Sequence, residues 1–434
     1  MASYYVWSGA TGSANGTSWA NAYTSLATAF SGKAAGDLFY VAHDHSDTNA
    51  SSLNTAGSIV SPIKAVCVDR AGSVPPVSAD RRATAQVATT GSNNITMSGV
   101  THYDGIIFTA GNATGIVNFN LQSTSANWTR FDNCSLRIGG SGATNKINMT
   151  IVPSAYVELN NTTMSFTAVG QNINIQGFFR WRNTPSALLG TIPTILFTLG
   201  SAGGDVECIG VDLSAAGSGK TICGTTSNTG AVRYRFLDCK LDAAVTKSTV
   251  PSGYGTNEVD FIRSGSSGVN YTVFRHRVAG TLDQETTIVR TGGASDGTTP
   301  ISWKVITTAN CNYSMPFECP PIAIWNDTTG SAKTATVEGI WGGGAVPLDS
   351  EIWLECEFLA DASSPQGSFA NDGTANLLAT PANQASSSAT WGGSTTKFKL
   401  EVTFTAQQKG WIYARVKIGK PSTTMYIDPL VTLS

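Results

Sequence analysis

The stretch TRFDNCSLRI, Thr129 to Ile138, returns as YRFLDCKLDA, Tyr234 to Ala243. Each has Phe, a turn-prone Asn or Asp two places on, then Cys, then Leu two places later. The pair is a coincidence, two metal-binding cysteines, or one period of a repeating fold. Further copies decide between these. HYDGIIF sets Tyr103 in the Phe131 position, VELNNTTM sets Leu159, FRWRNTPS sets Trp181, VECIGVDL sets Cys208, and YRFLDCKL sets Phe236. The steps are 28, 28, 22, 27 and 28 residues, and a looser copy, TVFRHRV, follows near Val273.

A fixed period in this range signals a coil that repeats. Alternating apolar residues over five or six positions describe a strand with one buried face. Asn, Gly and Asp tolerate a left-handed backbone and so mark a bend. The bend column reads Gly105, Asn133, Asn161, Asn183, Gly210 and Asp238. Three short strands and three bends fit each step, which predicts a right-handed parallel β-helix with rungs about 4.8 Å apart. One place before the aligned apolar residue stand His102, Arg130, Glu158, Arg180, Glu207 and Arg235. In register, signs alternate along this outward column from Arg130 to Arg235, a ladder that favours the register and opposes a one-rung slip.

The flanks differ. Ser18 followed by Ala20 to Ala29 and then Gly32 reads as a capped helix with Ala22, Leu26 and Phe30 on its apolar face. Laid over the first rung, it protects that open edge. SPIKAVCVDRAGSVPPVSAD, Ser61 to Asp80, reads as an early rung followed by a Pro-rich excursion. Near Thr298–Pro300 the rhythm changes to longer alternating strands, EIWLECEF, KFKLEVTF, GWIYARVKI and TMYIDPLVTL, which argue for an antiparallel β-sandwich. The polar run around Asn383–Gly393 reads as a surface loop. The expected all-β division is an N-terminal cap at 1–40, the β-helix at 41–298 and the sandwich at 299–434.

Composition agrees. Charged residues are 13% of 434, against about 25% in ordinary domains, while 41% are hydrophobic and Gly numbers 45. The net charge of −2 is scattered, which predicts neither a nucleic-acid nor a membrane partner. The start MASYYVWSGATGS lacks a basic and apolar leader, so synthesis in a cytoplasm and reduced cysteines are expected.

Chemistry is sparse, and no cofactor is expected. His43 and His45 in AHDHSD, near Asp44 and Asp47, are the best metal candidates, but two of these ligands point apart on a continuing strand. A polar strand end is the plainer reading. AGSGKT, Ala216 to Thr221, resembles the tail of a phosphate loop, yet Ser214 stands where that motif needs Gly. Cys134 and Cys239, with Thr162, Thr184 and Val211 between them in one column, lie four rungs apart and about 19 Å from each other, beyond bridging. Cys311 and Cys319 are close enough in sequence to approach, but without an oxidising compartment two free thiols are the default. Among Asp104, Asp132, Asp212, Asp238, Asp242, Asp260 and Asp283, the pair that best shares a flank is Asp212 and Asp242, the catalytic candidates if sugars are cleaved. Trp128, Trp181 and Tyr234 either line a sugar groove or pack inward.

The stretches GTSWANAYTSLATAF…AAGDLFYVAHDHSDT, SPIKAVCVDRAGSVPPV and EIWLECEFLADASSPQGSF…KGWIYARVKIGKPSTTMYIDPLVTLS together resemble right-handed, pectate-lyase-like β-helix virion proteins of tailed bacteriophages. The resemblance covers most of the chain and brings no catalytic signature. It implies a virion protein made in the host cytoplasm, a homotrimer whose partners are the phage major capsid protein or other virion proteins. One departure from the family is that the expected helix begins within about twenty residues of Met1, where enzymatic tailspikes usually carry a separate anchoring domain. That difference favours a non-enzymatic capsid decoration or cement protein, docked or trimerised through 299–434. The alternative is a tailspike or fibre that binds or cleaves host surface glycan.

Overall fold

The computed structural model describes residues 2–121, 128–149, 156–224, 232–249, 258–265, 273–277, 279–285, 302–328, 330–341, 351–360, 383–384, 397–405 and 409–434. The chain divides into two compact units, Met1–Tyr271 and Thr272–Ser434. The change of rhythm expected near 298–300 falls outside the described residues.

The first unit is a parallel β-solenoid built from three ladders. In the first ladder, Tyr103 is level with Phe131, Phe131 with Leu159, Leu159 with Trp181, Trp181 with Cys208, and Cys208 with Phe236. All six are buried. The ladder also runs further than the sequence copies. Upstream, Phe39 pairs with Ala65 and Ala65 with Tyr103. Downstream, Phe236 pairs with Phe261, their rings stacked at 4.3 Å and 5°. The looser copy near Val273 forms the strand Val273–Arg277. Val273–Arg277 runs antiparallel to Gly280–Glu285 in the second unit. The true successor, EVDFI, has Phe in place but Glu and Asp on its outer face, and that polarity hid it.

The second ladder joins Ser46–Asp47, Ala85–Ala88, Ile106–Ala110, Ser135–Ile138, Thr163–Phe166 and Leu188–Gly190. The third carries Phe119, Ile147, Ile173 and Phe197 inward. Between the first two ladders, each coil makes the same bend. Gly105, Asn133, Asn161, Asn183, Gly210 and Asp238 all have φ between 47° and 74°, and Arg263 follows at 49°. The next position points inward, as a small polar or thiol side chain at Cys134, Thr162, Thr184, Cys239 and Ser264 and as an apolar one at Ile106 and Val211. Thr162 Oγ1 accepts from Cys134 N at 3.2 Å and donates to the Phe131 or Asn160 carbonyl, each at 3.1 Å. Thr184 Oγ1 accepts from Thr162 N, and Ser264 Oγ from Cys239 N. Backbone groups buried at the corner therefore keep partners, which matters because an orphaned one costs about 1–3 kcal/mol.

Near the N-terminus, Ser3–Val6 lies parallel to Leu38–Ala42. The helix is shorter than expected: it covers Leu26–Phe30, not Ala20–Ala29, and Ser25, not Ser18, caps it through Thr28 N. Tyr23 is withdrawn into an extended bridge with Val6, donating to the Tyr5 carbonyl and accepting from Trp7 N. Asp47 Oδ2 takes the free Leu26 N–H at the helix start. Gly32 follows in a left-handed conformation, φ 71°. Phe30 packs edge-on to Phe39 at 5.0 Å.

The second unit is antiparallel throughout its described pairings. Ala332–Trp341 pairs with Lys397–Thr405 and Thr424–Ile427, and Gly410–Ile418 with Ile352–Ala360 and Ile322–Asn326. One buried cluster gathers Val337, Leu400 and Ile427 from the first group with Leu354, Ile412 and Val416 from the second. Of the polar run expected as a surface loop, Asn383–Gln384 pairs with Lys397–Thr405, and the rest falls outside the described residues. No helix among the described residues is long and apolar enough to cross a membrane.

Candidate functional site

Because strand side chains alternate, burying Phe179 and Trp181 forces Phe178, Arg180 and Arg182 onto the outer face of the first ladder. Three outward columns result. The outermost sets Trp128, Tyr156, Phe178, Asp205, Arg233 and Glu258 level on successive rungs. The middle one is the charge ladder, in which Arg130 is level with Glu158, then Arg180, Glu207 and Arg235 follow, ending on Asp260. The third sets Asp104, Asp132, Asn160 and Arg182 beside the bend.

Trp128, Tyr156 and Phe178 thus form an aromatic strip three rungs long. Phe178 is 48% exposed, whereas Trp128 and Tyr156 are half-buried with rings 6.3 Å apart. His102 closes one end edge-on to Trp128 at 5.3 Å. Burial, helped by the Arg130 charge, pulls the His102 imidazole below its usual range. His102 Nε2 and Trp128 Nε1 are buried on this face without a hydrogen-bond partner. At the other end a hollow of about 190 Å³ is lined by Tyr156, Phe178, Arg180, Asp205, Glu207 and Arg235. The Arg180 guanidinium lies 5.7 Å from the Tyr156 ring centre and bonds Glu207, which Arg235 also approaches at 3.7 Å. Arg130 instead grips Asp132 on its own strand through two bonds of 2.8 and 3.0 Å. Burial pushes the Asp205 carboxyl above its ordinary value, against the pull of Arg233 and Arg235.

Asp205 and Glu207 sit two residues apart on one strand, about 6.5–7 Å by the strand rise. Glu207 is already engaged by two guanidinium groups, those of Arg180 and Arg235. A carboxylate so engaged is poorly placed to act as nucleophile or base, so the hollow is better built to bind than to cleave.

The catalytic candidates Asp212 and Asp242 and the metal candidates His43 and His45 lie elsewhere. Asp212 is tied to Ser214 N and Oγ and to Lys240 Nζ at 3.1 Å. Burial raises its carboxyl, but these bonds outweigh it and hold it below the usual range, which suits an ionised anchor and not an acid. Asp242 accepts from Ala244 N within its own turn. Asp104 pairs with Arg81 and Asp238 with Arg263. Asp260 ends the charge ladder, and Asp283 stands opposite Lys304 in the second unit. His43 lies 3.6 Å from Asp69, while His45 is buried and its Nδ1 accepts from Ser8 N. No cluster of three metal-ligating side chains occurs among the described residues.

Within AGSGKT, Gly219 turns at φ 72° into the strand Thr221–Cys223 where a phosphate loop would open a helix, and Lys220 Nζ bonds the Ile192 carbonyl. Cys134, Cys239, Cys311 and Cys319 are all free and buried. Trp181 and Tyr234 point inward, fully buried, and of the three aromatics considered only Trp128 faces out. Tyr156, Phe178 and Asp205 were missed. Extending the repeat alignment two places upstream of the charge column would have found them.

No protein-family model and no curated protein matches the sequence. Among solved structures, the chain is similar to the enzymatically active domain of tailspike protein 4 of bacteriophage CBA120, at 8% identity and a TM-score of 0.23. That match covers 92% of this chain and 64% of the other, so the chain spans less than two thirds of it. It is also similar to the tailspike protein of Acinetobacter phage vB_ApiP_P1, at 12% identity and a TM-score of 0.24, covering 89% of this chain and 82% of the other. At these scores the fold is read from this chain's own ladders.

Proposed function

We propose that the chain is a bacteriophage virion protein of the tailspike or fibre type, whose solenoid holds host surface polysaccharide along the outer face of its first ladder. One observation carries the reading: Trp128, Tyr156 and Phe178 lie level on three successive rungs beside Arg180 and Glu207. Rungs recur about every 4.8 Å, close to the length of one sugar ring, so the strip offers successive apolar surfaces to successive residues of a glycan. The adjoining guanidinium and carboxylate groups supply hydrogen bonds to hydroxyls at fixed spacing. The virion assignment draws on the sequence resemblance to phage β-helix proteins. In this reading residues 272–434 serve docking on other virion proteins or trimerisation. The half-exposed aromatic strip is what moves the assignment away from capsid decoration, since a cement protein has no use for it.

The test joins binding with copy counting. The full chain should bind polysaccharide extracted from the host of its parent particle, and Trp128→Ala with Phe178→Ala should weaken that binding at least tenfold with an unchanged melting temperature. Mass spectrometry of the particle should count a few to a few dozen copies. Unaltered binding in the double variant, or hundreds of copies per particle, overturns the assignment.

A further inference from the structure

Round the bend from the aromatic strip, the same rungs enclose a second cleft of about 500 Å³. Its charged lining is Arg81, Arg82, Arg137 and Asp104. Two of the guanidinium groups are compensated. Arg81 meets Asp104 at 3.1 Å, and Arg82 meets Asp69 at 2.9 Å and the Ala79 and Arg81 carbonyls. Arg137 is not. It spends Nε on Ser135 Oγ at 3.1 Å, and its two terminal nitrogens meet no acceptor among the described residues. The register explains why: Arg137 is level with Thr109 on one side and Ser165 on the other, so its column holds hydroxyls and no carboxylate. A half-buried guanidinium with a free planar fork is a preformed site for a carboxylate or other oxyanion. Arg81, 59% exposed, is free to turn from Asp104 toward the same anion.

The remaining lining is neutral and polar. Asn133 and Asn161 are linked amide to amide at 2.8 Å, and Thr163 Oγ1 donates to Ser135 Oγ at 3.0 Å. These groups suit the hydroxyls of a sugar and would add little to a bare ion. We propose that this cleft binds an acidic sugar unit, with its anionic group on Arg137 and its hydroxyls on the Asn133–Asn161 and Ser135–Thr163 pairs. The site goes beyond the aromatic strip and depends on different residues, so either can fail alone.

Titration calorimetry of the full chain with a hyaluronan tetrasaccharide, chitotetraose and inorganic phosphate tests it. The uronate-bearing tetrasaccharide should bind at least tenfold tighter than either of the others. Arg137→Gln should bring it to the chitotetraose level, and Arg137→Lys, which keeps charge without the fork, should fall between. Melting temperatures of both variants report that the solenoid is intact. Equal binding of hyaluronan tetrasaccharide and chitotetraose, equal binding of phosphate, or an unchanged affinity in a folded Arg137→Gln overturns the proposal.

Discussion

Asn161 Nδ2 donates to Asn133 Oδ1 at 2.8 Å, and both residues are left-handed, with φ of 47° and 54°. One residue type thus answers two demands of the bend. Asn tolerates the backbone conformation, and its amide reaches the equivalent amide on the neighbouring coil. Asn161→Ala removes both and should cost about 1–3 kcal/mol. Asn161→Gly keeps the backbone free and loses only the amide link, so it should cost about 1 kcal/mol. Chemical denaturation of both variants checks the order. Equal losses would remove the backbone from the argument.

That column, with its period, is why so much of the solenoid was legible. A coil must bend at a fixed place, few residues bend left-handed, and Gly105 through Asp238 could be aligned without knowing what lay inside. Arg263 escaped because Arg is no usual occupant of that conformation, and with it went the rung at Phe261. The helix is shorter than its periodicity predicts for a non-local reason. Ala20–Tyr23 has helical periodicity, but Tyr5 and Trp7, sixteen or more residues earlier, take the Tyr23 backbone for a strand pairing. The outward face was only half legible. Sparse charges make the Arg130–Arg235 column visible, whereas Tyr156 and Phe178 carry no such mark, and only the burial of Phe179 and Trp181 shows Phe178 facing out.

The Arg180–Glu207 pair allows the charge column to be weighed. Its side chains are 34% and 18% exposed, so solvent screens the pair less than an open surface pair and more than a buried one. A double-mutant cycle with Arg180→Gln and Glu207→Gln should give a coupling of about 0.5–1 kcal/mol, near the upper range for cross-strand pairs. In 1 M salt the coupling should drop by about half, since the screening length falls to about 3 Å. Zero coupling at low salt would mean that the column sets register only by packing.

His45 makes the acid limb of stability a test of the N-terminal packing. Its Nδ1 accepts from Ser8 N at 2.9 Å, which leaves the proton on Nε2, and that atom is buried without a partner. Burial, the largest influence, lowers its affinity for a second proton below the ordinary 6.5, although Asp47 and Asp44 pull the other way. A histidine depressed in the folded state contributes stability that is full above pH 6.5 and is lost as pH falls through the folded value. Charging the ring would also remove the acceptor that holds Ser8. His102 is depressed in the same direction, so both contribute to the limb. Proton NMR should show both rings titrating below 6.5. His45→Gln, whose amide oxygen can still accept from Ser8, should reduce the slope of stability against pH by up to about 1.4 kcal/mol per pH unit in that range. A His45 ring titrating at or above 6.5 would mean that Asp44 and Asp47 outweigh burial, and the limb would then have to come from His102 and the carboxylates.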